Sequence, residues 1–230
     1  MRCLILRLEG PLMSFGDTAI DEIRPTRDLP GRSLLTGLIA NALGYEHRDV
    51  EALDRLQQRL RFAARLDQPG EALVDFQTAE LSQSDPIWTT RGVPAGRAGG
   101  AGSYSGPALR YRHYRADSKV SAALTLEPAG EVPDLDAIAA ALRHPERPLF
   151  IGRKGCPPAR RIFEGMVEAE SLVAALRALD GEGRIETEDA DGEPAGVDFA
   201  LADRRDWRMG FHVGLSRRRR IWAPDGGGAA

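Results

Sequence analysis

Between Glu80 and Gly106 the chain loses the means to build a core. Gly92, Gly96, Gly99, Gly100, Gly102 and Gly106 fall here, with Pro94 among them and Pro107 next. Glycine costs the most backbone entropy to order and offers no side chain to bury, so this segment reads as an excursion from the body of a domain. Strand-like runs flank it: Leu73–Thr78 before, and LRYRHYRADSK after, where aromatic and basic side chains alternate. Two such runs around a core-less segment are expected to pair as a long β-hairpin, an arm with its tip at the glycines. The domain itself must come from the elements on either side.

Cys3–Glu9 alternates like a strand with at least one buried face and ends at Gly10-Pro11. Leu12–Ile23 is a loop. Next comes RPTRDLPGRSLLTGLIANALG, a basic loop (Arg24, Arg27, Arg32) that runs into a helix with Leu34, Leu35, Leu38, Ile39, Ala42 and Leu43 at helical spacing. Ser33 is the natural N-cap and Gly44 sits at the C-terminal cap. A helix over Asp49–Gln58 and a strand over Leu60–Leu66 follow. Beyond the arm the pattern predicts a strand over Val120–Leu126, a helix from its cap Asp134 to Arg143, short strands over Pro148–Gly152 and Phe163–Ala169, and a helix over Ser171–Leu179. Strand, helix, strand, arm, strand, helix, strand is an α+β, ferredoxin-like layout with an insertion between its second and third strands. The expected organisation is a ferredoxin-like domain over residues 1–170 with the arm at about 78–119, a small β extension over 171–222, and a disordered tail over 223–230. Within the extension, Gly181–Val197 is expected to be exposed, and Asp198–Leu201 and Gly210–Ser216 to be strands.

Charge is distributed unevenly behind a net value of −3. Asp180–Asp206 carries ten acids against three arginines, whereas Arg91–Lys119 and Arg143–Arg161 each hold six cations and one acid, and Arg217–Arg220 is an unbroken basic run. A near-neutral chain can therefore present a polyanion-binding face. At the start of the first helix, the cations Arg24, Arg27 and Arg32 and the hydroxyl of Ser33 converge on free backbone N–H groups, a ready phosphate site. In the arm's returning strand, Arg110, Arg112, His113, Arg115 and Lys119 interleave with Tyr111 and Tyr114, a combination that stacks unpaired bases and pairs phosphates. Arg153 and Lys154 stand in a glycine-flanked turn, GRKGC. Single-stranded RNA fits this better than duplex DNA, because no helix has base-reading spacing.

No nucleotide-binding fingerprint, zinc-protease motif or metal-ligand spacing occurs, so neither a metal nor another cofactor is expected. Cys3 and Cys156 lie far apart, as suits a reducing cytoplasm, and no run of eighteen apolar residues suggests a membrane span. A catalytic alternative rests on His113, Lys119 and the tyrosines Tyr111, Tyr114 and Tyr45, which could cleave RNA without metal if they met in space.

These segments resemble the CasD family, the RAMP-superfamily subunit of type I-E CRISPR Cascade. The resemblance lies in LILRLEGPLMSFG, RPTRDLPGRSLLTGLIANALG, RLRFAARLD, YRHYRADSKVSAALTL and PLFIGRKGCPPARRIFEG, in the family's order over most of Met1–Gly165; SRRRRIWAP matches loosely. It implies a ferredoxin-like RAMP domain with a β-hairpin thumb that binds the 5′ handle of the crRNA without cleaving it, in antiviral defence. The implied partners are the repeating backbone subunit and the large subunit. Target DNA is met only through the complex, where the guide's base pairing reads it. By position, Arg24, Thr26, Arg32 and Ser33 would meet handle phosphates, so loss of Arg32 should weaken binding. Thr78–Lys119 would lie across the handle, and Arg153 and Lys154 would face it. The glycine-rich tip departs from the family, so its contacts do not carry over. A related branch, in type I-C systems, cleaves repeat RNA with tyrosine, lysine and histidine, and Tyr45 and Lys119 lie in comparable neighbourhoods.

Overall fold

A computed structural model of the chain describes residues 1–80, 107–188 and 196–222, together with the backbone of 87–88 and 94–95. The elements are β1 (Arg2–Glu9), β2 (Leu12–Met13), β3 (Ile23–Arg24), α1 (Arg32–Ala42), α2 (Val50–Arg59), β4 (Leu60–Gln68), β5 (Glu71–Ala79), β6 (Ile87–Trp88), β7 (Pro94–Ala95), β8 (Ala108–Ala116), β9 (Lys119–Leu126), α3 (Leu135–Arg143), β10 (Phe163–Glu168), α4 (Leu172–Arg177), β11 (Arg184–Thr187), β12 (Val197–Leu201) and β13 (Ser216–Ile221). The expected arm tip and C-terminal tail fall outside the described residues.

The fold is a mixed α and β structure built on antiparallel sheets. The larger sheet runs β10-β1-β9-β4-β11-β13-β12, every neighbour antiparallel. Period-2 alternation divides its side chains between two cores. Leu4, Leu6, Leu8, Phe62, Ala64, Ala122 and Leu124 face α1, α2 and α3. Cys3, Ile5, Ala63, Ala123, Ile185 and Ile221 face α4. The central strands are thus buried on both sides, which explains why β1 alternates so weakly in polarity.

Helix ends follow the sequence where the signal is local. At the end of α1, Tyr45 N–H donates to Ala40 O (2.9 Å) and Gly44 N–H to Asn41 O (3.3 Å). This is a Schellman closure, and Gly44 takes the left-handed conformation it needs, φ +83°. At α3, Asp134 accepts from Ala137 N–H at 2.8 Å, so Asp134→Ala should lower stability by about 1 kcal/mol in denaturant unfolding. At α4 the C-terminus is satisfied from the sheet. Arg65, 2% exposed, donates to Leu176 O and Asp180 O, both at 2.7 Å. A guanidinium belongs there, where the helix leaves unpaired carbonyls and a partial negative charge.

The C-terminal third differs from its sequence reading. Gly210–Ser216 is not a strand: Gly210 and Gly214, both at φ +80°, break any extended run. The basic run Ser216–Ile221 forms β13 instead. Gly181–Val197 is not simply exposed either, since β11 lies within it and buries Ile185, Glu186 and Thr187 against β4. Glu186 is tolerated there because Arg27 (3.1 Å) and Arg220 (2.9 Å) neutralise it. Pro148–Gly152 forms no strand. Ile151 N–H closes the following turn on Cys156 O (2.8 Å), and Ile151 O accepts from Ser14 N–H (3.2 Å).

Candidate nucleic-acid interface

The start of α1 is not the open phosphate site its sequence suggests. The helix begins two residues early, with Gly31 as N-cap and no capping bond from Gly31. The acceptor comes from far along the chain. Asp203 Oδ2 accepts from Arg32 N–H (2.8 Å), and Asp203 O accepts from Ser33 N–H (3.0 Å). A built-in carboxylate therefore occupies the position an anion would take. A Cβ on Gly31 would lie 2.9 Å from Asp203 Cβ, so glycine permits the approach.

Ser33 is not the N-cap; its Oγ lies 2.9 Å from His212 Nε2. Nor is Arg32 an exposed phosphate ligand. It is 7% exposed, and it donates to Gln57 O (2.7 Å), Leu60 O (2.5 Å) and Glu188. Burial pulls its pKa below the ordinary value, with Arg218 and Arg61 adding repulsion against the pull of Glu188 and Asp203. Thr26 is also committed, accepting from Phe15 N–H (2.8 Å) and donating to Arg27 O (3.1 Å). Fixing that loop leaves its hydroxyl no free donor.

The β5–β8 hairpin forms as expected, with an unbroken register from Glu71↔Ala116 to Ala79↔Ala108. On its other edge β8 holds β2 at Arg115–Ala116 and runs parallel to β3 at Tyr111–Arg112. The hairpin is therefore locked onto the loop that precedes α1. Alternation puts Arg110, Arg112 and Tyr114 on one face, and Leu109, Tyr111, His113 and Arg115 on the other. Tyr114 is buried, while Tyr111 is exposed with its ring 5.0 Å from that of Phe76.

Arg153 joins the pieces. Its Nη1 donates to His113 O and its Nη2 to Arg24 O, both at 2.9 Å, and the guanidinium lies 4.6 Å from the centre of the Tyr114 ring. It is spent on positioning. The same bonds bring the GRKGC turn, β3 and β8 together, so that Arg24, Arg112 and the exposed Lys154 share one junction. Neither Arg112 nor Lys154 forms an ion pair among the described residues. Arg24 Nη1 turns to Asp21 O (2.5 Å) and Ile23 O (2.9 Å). Arg110 Nη1 donates to Leu109 O (2.6 Å). Two of the expected cations face acids instead: Arg115 lies 3.5 Å from Asp28, and Lys119 3.7 Å from Glu9.

The possible catalytic residues divide among three places. His113 lies in β8 with Tyr111 and Tyr114, Lys119 opens β9 beside Glu9, and Tyr45 packs against the main core after α1. Burial pushes the Tyr45 hydroxyl above its ordinary pKa, the wrong direction for a phenolate base. Among the described residues no group of three or more His, Cys, Asp or Glu could hold a metal ion, and both cysteines are buried and unpaired. No described helix is long and apolar enough to cross a membrane.

Residues 3–219 match the family described as CRISPR-associated protein (Cas_Cas5). The chain belongs to this Cas5 family. The CRISPR system Cascade subunit CasD of Escherichia coli (strain K12) is 29% identical over 174 residues, 75% of each chain. A chain from a solved CRISPR RNA-guided surveillance complex gives a TM-score of 0.71 at 25% identity, covering 95% of this chain and 89% of that one. A crystal structure of a Cas protein shares the fold, with a TM-score of 0.60 at 24% identity over 95% and 92% of the two chains. The resemblance to CasD seen in the sequence is thus found again by comparison with known proteins.

In this Cas5-family protein the residues that sequence reasoning missed are Asp203 and His212. Both act on α1 from more than 170 positions away, Asp203 on Arg32 and His212 on Ser33. No local pattern marks them. Asp203 in particular sits in the acid-rich stretch and looks like any solvated carboxylate there.

Proposed function

We propose that the chain is the subunit of a type I-E CRISPR Cascade effector that binds and caps the 5′ handle of the crRNA without cleaving it. In this reading residues 1–170 form a ferredoxin-like RAMP domain, the insertion at about 78–119 is its thumb, and 171–222 pack on as a β extension. The order β10-β1-β9-β4, which sets the fourth, first, third and second strands of a β-α-β-β-α-β chain side by side, supports that assignment. The partners are the crRNA handle, the repeating backbone subunit and the large subunit, with target DNA met through the complex in the cytoplasm.

The observation that carries the reading is the junction held by Arg153. There the thumb's stem, the loop before α1 and the GRKGC turn meet, and Arg24, Arg110, Arg112 and Lys154 offer cations, while the exposed Tyr111 and the half-buried His113 lie on the opposite face of β8. Phosphates would meet the cations and bases would stack on the rings. Arg32, Ser33 and Thr26 leave the contact set for the reasons given above. Arg153 positions the site, and Arg115 and Lys119 stand at its margin.

The test is binding of the assembled complex to guides with and without the 5′ handle. Handle-bearing guide should bind more tightly. Arg112→Glu with Lys154→Glu should cut that affinity at least about tenfold and lower the salt slope by roughly two. Equal affinity for both guides would sink handle recognition. Metal-independent cutting of repeat RNA that disappears in His113→Ala would establish the nuclease alternative instead.

A further inference from the structure

A second cationic site lies at the far end of the loop that leads from this junction to α1. A cleft of about 420 Å³ opens between the end of α2 and the start of β13, lined by Arg32, Arg61, Glu188, Arg204, Ser216 and Arg217 among others. Its floor is built. Arg32, 7% exposed, lines it, and Arg218, 3% exposed, lies behind it against Glu188; among the described residues each keeps an Nε with no hydrogen-bond acceptor. Buried guanidinium N–H groups rarely go unpaired in a folded protein.

At the rim, Arg204 and Arg217 are exposed and form no ion pair among the described residues. Arg61 shares Glu127 (3.1 Å), which is itself largely exposed. Among the described residues the acids around the floor are outnumbered. Glu188 is engaged by Arg32 and, at 3.4 Å, by Arg218, and Asp203 is engaged by Arg218 and Ser216. Asp198, whose carboxylate also feels the charge of Arg217, is held at 2.7 and 3.0 Å by Arg219. The cleft therefore keeps excess positive charge in a partly desolvated site, and its donors are guanidiniums, which suit an anion with several acceptor oxygens.

We propose that this cleft is a phosphate-binding site that takes a backbone phosphate of the RNA held at the Arg153 junction. The proposal rests on the RNA-binding reading above. The loop from Arg24 to Arg32 links the two sites, so that one strand would meet Arg24 at the junction and Arg204 and Arg217 at the rim of the cleft.

The test uses the full chain and two probes. The variant is Arg204→Glu with Arg217→Glu; both side chains are exposed, and Arg204→Gln with Arg217→Gln guards against misfolding by the charge reversal. The first probe is inorganic phosphate, against chloride at matched ionic strength. Phosphate should raise the melting temperature of the wild type and not that of either variant. The second probe is single-stranded RNA carrying the handle. Its affinity should fall about tenfold in the glutamate variant, with the salt slope reduced by roughly two. Unchanged RNA affinity alongside a lost phosphate shift would overturn the shared-strand proposal and leave a site for free phosphate. A phosphate shift equal in wild type and variants would overturn the site itself. If instead Arg112→Glu with Lys154→Glu leaves RNA binding intact while the cleft variant loses it, the handle reading fails and the cleft stands.

Discussion

Asp203→Ala should lower stability by about 3–5 kcal/mol, because it strands a buried arginine and uncaps a helix in one step. Asp203 is 4% exposed and accepts from Ser216 Oγ (2.6 Å), from Arg218 Nη2 and from Arg32 N–H (2.8 Å). Without it Arg218 keeps, among the described residues, only Glu188, at 3.4 Å, and its stacking over Phe62 at 4.2 Å. In a protein of this size that loss corresponds to roughly 10 °C in melting temperature. Asp203→Asn should retain the acceptor for Arg32 N–H and lose the charge, and so fall between alanine and wild type.

The pH dependence gives a second readout. Burial alone would raise the Asp203 pKa, but Arg218, Arg32 N–H and Ser216 together hold it below its ordinary value. A carboxylate depressed in the folded state contributes stability above its unfolded pKa, and that contribution is lost as pH falls through the folded value. The gap between wild type and Asp203→Asn should therefore be full near neutrality and narrow below about pH 4. Denaturant unfolding from pH 7 to pH 3 measures it. A gap that stays constant across that range would mean the charge of Asp203 does not contribute.

The same residue shows where sequence reading stops. Periodicity and caps act within a few positions, so α1, α3, β1, β4, β9 and the β5–β8 hairpin were all legible. The C-terminal third is organised by charge instead. Arg217–Arg220 and the acids of Asp180–Asp206 read separately as a basic run and an acidic, turn-rich stretch. In the fold they are largely each other's partners: Arg218 with Asp203 and Glu188, Arg219 with Asp198, Arg220 with Glu186. Neutralised this way, and with Arg220 stacked 4.9 Å over Phe199, side chains that hydropathy scores as solvated can pair as strands. Arg32 is buried for the same reason, since the acids that engage it and its backbone lie 156 and 171 positions away. Lys154 is exposed and Arg112 half-buried, as the local turn and strand geometry set them.

Gly152→Ala should disable the junction without removing any charge. Gly152 has φ +92°, and a Cβ there would lie 1.6 Å from Ser14 O and 2.8 Å from Ser14 C. Both neighbours are backbone atoms, so no rotamer change relieves the clash, and either the turn or the end of β2 must move. The expected loss is about 3 kcal/mol or more, from the left-handed conformation and the overlap together. Displacement would pull Arg153 from His113 O and Arg24 O and so unlock β3 from β8. Handle affinity should then fall although Arg24, Arg112 and Lys154 are all still present. Gly155→Ala is the matched control in the same turn. A Cβ on Gly155 meets nothing within 4 Å and its φ is not left-handed, so stability should stay within about 0.5 kcal/mol of wild type. Equal melting temperatures for the two variants would show that the approach of the turn to Ser14 does not hold the junction. If Gly152→Ala melts early yet binds the handle normally, the cations work without Arg153 to set them.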